Sequence, residues 1–139
     1  MNAQGNQWVT AGTSIAYAIA GGEDRIDAER AAVALDKSQH LRNALWLNGR
    51  ANRNAADFYM IYEYATREFG GEEGVAMALG FSRSEQKQLT QSANNLSPLD
   101  GGRHVGQQKL APWPLGHQTG FIAEMLRRWI ERLAHEPAR

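Results

Sequence analysis

The side chains best suited to chemistry in this chain stand next to each other. Arg103 and His104 close the stretch NNLSPLDGGRHV at 94–105, after a proline and a pair of glycines. One use of such a pair is RNA cleavage: the histidine moves the 2′-hydroxyl or leaving-group proton, and the guanidinium holds the phosphate as charge builds. The other use is mechanical. Glu63 lies in DFYMIYEYA between Tyr62 and Tyr64, one residue off an apolar stripe. A carboxylate at a core edge costs free energy unless paired, and a bidentate guanidinium suits it best. The favoured reading is therefore a clasp in which Glu63 pairs with Arg103 or His104. Asn94 and Asn95 tie up loop amides and carbonyls, and the glycines allow positive φ or close approach. An i,i+4 pair of Glu63 with Arg67 is the plainer alternative.

A second constellation is GVAMALGFSRSEQKQLTQSANN. Ala76 and Gly80 have the separation of a helix-turn-helix unit, Ser82 caps the second helix and Leu89 anchors it. Arg83, Lys87 and Gln91 are then placed to meet DNA. The position that valine or isoleucine would fill is Gln86, which predicts a poorly held helix, and the favoured reading is an ordinary helical hairpin. The histidines at 40, 104, 117 and 135 show no zinc spacing, and cysteine is absent. Gly101-Gly102 lacks the lysine-serine continuation of a phosphate loop, and no serine has a nucleophile-elbow context. No metal and no cofactor are expected. Tyr59, Tyr62, Tyr64 and Trp46 read as core aromatics rather than a ligand box.

The elements that must position these residues follow from composition and periodicity. The chain has 139 residues, enough for one domain with a sizeable core. Fifteen basic and fifteen acidic side chains cancel, so bulk electrostatics gives no support to nucleic-acid binding. IAYAIA at 15–20 is too short to span a membrane and has no basic n-region before it, which predicts a cytoplasmic protein.

Residues 1–22 read as an extended arm anchored by Trp8. Helical periodicity covers 24–95. The stretch 24–47 is one bent helix or two, with Ser38 as a possible second cap. Residues 52–69 form a helix with Ala55, Phe58, Tyr62, Ala65 and Phe69 on one stripe, widened by Tyr59 and Ile61. Ser82 and Glu85 have capping-box spacing for a helix to about Asn94. Residues 96–118 read as an ordered Arg-His loop, because apolar anchors interrupt its glycines and prolines. The last helix is expected over 119–134. Its apolar face is broad enough either to be the centre of the bundle or to join another chain through Phe121, Met125 and Trp129. The fold class is all-α: a single bundle of four to six helices with an N-terminal arm and a long loop before the last helix.

The DFYMIYEYA helix, the later NN and GGRH, the proline-bearing loop and the closing RRWIERL together resemble a family of small uncharacterised bacterial proteins. The likeness covers about 24–133 and rests on Tyr59, Ile61, Glu63, Asn94, Gly102, Arg103, His104 and Trp129. Phe58-Tyr59-Met60 departs from that family's leucine-tyrosine-lysine run. The helical order and late Arg-His are also faintly similar to HEPN domains, many of which are metal-independent ribonucleases. That similarity implies a role for Arg103 and His104 in cleavage. HEPN nucleases separate arginine and histidine by four to six residues, however; Arg128 and His135 satisfy that spacing here, but at the end of the last helix rather than the start of a late one. The expected function is a non-enzymatic interaction or assembly module that forms a homodimer, with the ribonuclease and the DNA-binding helix-turn-helix as alternatives.

Overall fold

The computed structural model describes residues 28–95 and 112–139, and the predicted N-terminal arm lies outside them. Among the described residues the chain is all-helical, as expected, with α1 Ala28–Lys37, α2 Gln39–Asn48, α3 Ala55–Phe69, α4 Glu72–Leu79, α5 Arg83–Asn95 and α6 Leu115–His135.

Local chemistry sets most of these boundaries. The stretch that reads as one helix or two is two. Ser38 is extended (φ −141°), and its Oγ accepts from the Leu41 amide at 3.0 Å, restarting the chain as α2. Asn54 and Asp57 form a reciprocal capping box at 3.1 and 2.9 Å, so α3 starts at Ala55 rather than near Asn52. Gly70 ends α3 and Gly80 ends α4, both in the left-handed region (φ 85° and 76°) that glycine enters without a Cβ penalty.

The core gathers on α6. Ile122, Met125, Leu126, Trp129, Ile130 and Leu133 are completely enclosed, packed against Leu35 of α1, Leu41 and Leu45 of α2, Phe58 and Ile61 of α3 and Val75 of α4. Of the two uses proposed for the apolar face of this helix, the bundle takes it. Met125 and Trp129 are 0% exposed and Phe121 8%, so these side chains are interior and do not offer an interface to a second chain. The ring of Trp129 meets Phe69 edge-on at 5.7 Å. Lys37 closes the bundle from the other side, donating to the carbonyls of Leu133 and Glu136 at 2.6 and 2.5 Å, where the last turn of α6 leaves acceptors free.

The final helix also begins earlier than its periodicity predicts. Residues 112–114 have no regular secondary structure and α6 starts at Leu115, four residues before 119. The Trp113 amide donates to Ser92 Oγ on α5 at 2.7 Å, and Gln118 Nε2 donates back to the Trp113 carbonyl at 2.8 Å. The approach to α6 is thus pinned to the end of α5.

Candidate functional site

The most elaborately built part of the described structure is the pair α4–α5. It follows α3 after Gly70-Gly71 and turns through Gly80, Phe81 and Ser82, a three-residue connection of helix-turn-helix length. Each position of this unit has a physical reason. A Cβ at Gly74 would come within 1.6 Å of the Phe69 carbonyl oxygen, so only glycine lets α4 lie against the end of α3. Phe81 turns inward onto Phe121, with ring centroids 4.8 Å apart. Ser82 Oγ accepts from the Glu85 amide at 3.0 Å, and the Glu85 carboxylate reaches back to Ser82. The capping box read from the sequence is present.

Gln86 corrects the expectation of a poorly held helix. Its side chain is fully buried, and the packing that an aliphatic residue would supply is replaced by three hydrogen bonds. Oε1 accepts from the Tyr62 hydroxyl at 2.7 Å, while Nε2 donates to the carbonyls of Glu72 at 3.0 Å and Phe81 at 3.2 Å. One amide therefore joins α3, the start of α4, the turn and α5, with each of its polar atoms partnered. Burial, and then the nearby charge of Glu72, push the Tyr62 phenol well above its ordinary range and keep it a donor.

Arg128 holds the same unit from α6. Its Nη1 donates to the Leu79 carbonyl at 2.9 Å, and the guanidinium lies 4.2 Å from the centroid of the Phe81 ring. Its Nε reaches Glu124 at 3.0 Å. The hydrogen bond from Arg127, helped by the one from Arg128, holds the Glu124 carboxyl below the usual carboxylate range against the opposing effect of burial.

The two sides of α5 differ sharply. Gln86, Leu89, Ser92 and Ala93 face the core, whereas Arg83, Ser84 and Lys87 stand in solvent on the opposite side. Glu85 is exposed but bound to Ser82. Arg83 lies 3.6 Å from the Glu72 carboxylate, and both side chains are well exposed. Gln91 is withdrawn from the set of DNA-facing candidates, because its side-chain oxygen is enclosed.

The other predicted residues fall elsewhere. Arg103 and His104 lie outside the described residues, and with them both the clasp and their use in catalysis. Asn94 and Asn95 form the last turn of α5 rather than part of a loop. Glu63 is exposed on α3, beside Met60, Tyr64 and Arg67 in a shallow depression. Its carboxylate is in water, so the core-edge argument for a compulsory partner does not hold. Arg128 and His135 are committed separately, the former to Leu79 and Glu124, the latter to Arg30 at 2.8 Å and Glu131 at 3.3 Å.

Sequence reasoning missed Gln86 as a hub and Arg128 as a clamp. Gln86 had a signal: it sits three residues before Leu89 in an inward register, opposite a helix with a tyrosine on its stripe. Arg128 had none, since Leu79 and Phe81, the residues it clamps, lie about fifty residues away. Among the described residues no group of three or more histidine or acidic side chains is placed to hold a metal ion, and no helix is long and apolar enough to cross a membrane. No protein-family model matches the chain, and neither does any curated protein or solved structure.

Proposed function

We propose that this chain is a non-enzymatic binding module whose ligand is duplex DNA, with α5 entering the major groove as the reading helix of a helix-turn-helix unit. The observation that carries this reading is the outward side of α5. At the exit of a rigidly held three-residue turn it presents Arg83, Ser84 and Lys87, and the one nearby acidic side chain of that helix, Glu85, is engaged in capping. N-terminal residues of a second helix are those that reach base edges in such units. The zero formal net charge does not oppose this. It means that contacts must be made by a few directed side chains rather than by a broad positive field.

Self-association in the cytoplasm belongs to the same reading, since a two-fold dimer would set two α5 helices on half-sites one helical turn apart. Light scattering of the intact chain tests it, and a monomer at micromolar concentration removes that part.

The primary test is fluorescence anisotropy with a labelled mixed-sequence duplex, for wild type, Arg83→Ala and Lys87→Ala. Binding is expected to weaken in both variants without a change in melting temperature. The logarithm of affinity should fall as the logarithm of salt concentration rises. Equal affinity for all three proteins would reject α5 as the contact. Incubation of wild type and His104→Ala with RNA addresses the competing ribonuclease reading, and cleavage by wild type alone would favour it.

A further inference from the structure

The reading side of α5 is chemically narrow, and its narrowness points to a particular ligand. Arg83 and Lys87 are one turn apart on the same side of the helix, a rise of about 6 Å. That spans roughly two base-pair steps of about 3.4 Å each. Both side chains are donors only, and the base edge that best receives paired donors in the major groove is guanine, through O6 and N7. Cytosine calls for an acceptor carboxylate and adenine for a bidentate amide. The carboxylate of Glu85 is turned back to Ser82, and the side-chain oxygen of Gln91 is enclosed.

The surroundings of Arg83 add a second feature. In the free protein its guanidinium pairs with Glu72 at 3.6 Å, with side chains 72% and 46% exposed. An exposed pair of this kind is weak and opens readily. A carboxylate so close still has two effects on any approaching duplex: it competes for the guanidinium and it repels phosphate. A guanine edge offers Arg83 two aligned acceptors and replaces Glu72 fully. A phosphate can also engage the guanidinium through two oxygens, but it meets the repulsion of Glu72, which an uncharged guanine edge does not. The backbone of Glu72 is anchored beside α5, because Gln86 donates to its carbonyl at 3.0 Å.

Building on the DNA-binding reading, we propose that Arg83 and Lys87 read two guanines about two base-pair steps apart, and that Glu72 is a specificity-determining residue that keeps α5 off duplexes lacking them. The protein discriminates by penalising the wrong DNA as well as by contacting the right one.

The test is selection of bound sequences from a randomised duplex pool with the intact chain. Anisotropy on the selected duplex and on a scrambled duplex then follows for wild type, Arg83→Ala, Lys87→Ala and Glu72→Gln. The selected pool should be enriched in guanines two steps apart. Arg83→Ala should lose roughly 5- to 150-fold on the selected duplex and much less on the scrambled one. Glu72→Gln, which keeps its backbone contact to Gln86, should tighten scrambled binding by roughly two- to five-fold and narrow the ratio between the two duplexes. A pool without guanine preference, or an Arg83→Ala loss equal on both duplexes, overturns the guanine assignment while DNA binding stands. An unchanged ratio in Glu72→Gln overturns the discriminating role of that residue. Retention of no duplex at all overturns the DNA-binding reading itself.

Discussion

At the scale of single residues, Gln86 and Tyr62 show how a polar pair replaces apolar packing without loosening a helix. Their hydroxyl–amide bond is buried, and both nitrogen donations of Gln86 end on backbone carbonyls. Truncation in Gln86→Ala leaves a buried hydroxyl and two carbonyls short of partners. The expected cost is about 2–4 kcal/mol, from the unmet groups and the cavity together. Chemical denaturation with the slope compared to wild type checks it. The pair also predicts a limit at high pH. The phenol of Tyr62 binds its proton more tightly when folded than its ordinary value of 10.0. A group with a raised folded value contributes stability that is complete below the unfolded value and drains away as pH rises above it. Melting temperature should therefore fall steeply above about pH 10 in the wild type. Tyr62→Phe should start lower at neutral pH and lose less over that alkaline range. Parallel alkaline limbs for the two proteins would show that other groups set the limit.

At the scale of elements, the glycines of α4 separate two kinds of requirement. At Gly74 the obstacle is space: a methyl group would lie 1.6 Å from the Phe69 carbonyl, and backbone cannot give way as a flexible side chain can. At Gly80 the obstacle is conformation, since φ is 76° and the nearest atom to an added Cβ is the Arg128 guanidinium at 3.6 Å. Gly80→Ala should cost about 1–2 kcal/mol, whereas Gly74→Ala should displace α4 and cost more. Thermal melts of the two variants give the order directly, and a milder effect at Gly74 would contradict the packing of α3 against α4. Arg128 belongs to this scale because it acts on a whole unit. Arg128→Lys keeps the charge but loses the planar stack on Phe81 and the fork between Leu79 and Glu124. A modest fall in melting temperature is expected, and under the proposed DNA-binding function weaker retention of duplex as well, although the residue is far from Arg83 along the chain.

At the scale of the whole molecule, the packed interior and the proposed DNA-contacting side of α5 do not overlap. The apolar side of α6 is consumed inside the bundle, where Trp129 is completely enclosed. Trp129→Ala should cost about 3–5 kcal/mol, measured by urea titration. Among the described residues its indole nitrogen has no hydrogen-bond partner, so Trp129→Phe forfeits volume but none of these hydrogen bonds and should be milder. Neither change should alter oligomeric state if the side chain serves only the interior.

The sequence by itself determined the order of the helices and several of their limits, where those are set within a few residues. Ser38, Asn54 and Ser82 start helices through contacts three residues away, and Gly70 and Gly80 end them by occupying the left-handed region. Periodicity likewise identified the stripe on α3 and the broad apolar side of α6. Only the tertiary structure decided what that side packs against, because periodicity says that a face is buried but not against what. It also decided that α6 begins at Leu115, where Trp113 is held by a serine twenty-one residues away. The same holds for the α4–α5 unit. Its turn was visible in Gly80 and Ser82, but its rigidity comes from Tyr62, twenty-four residues from Gln86, and from Arg128, forty-nine from Leu79. A polar residue in an apolar register looks like a defect until the partner that satisfies it is brought alongside by the fold.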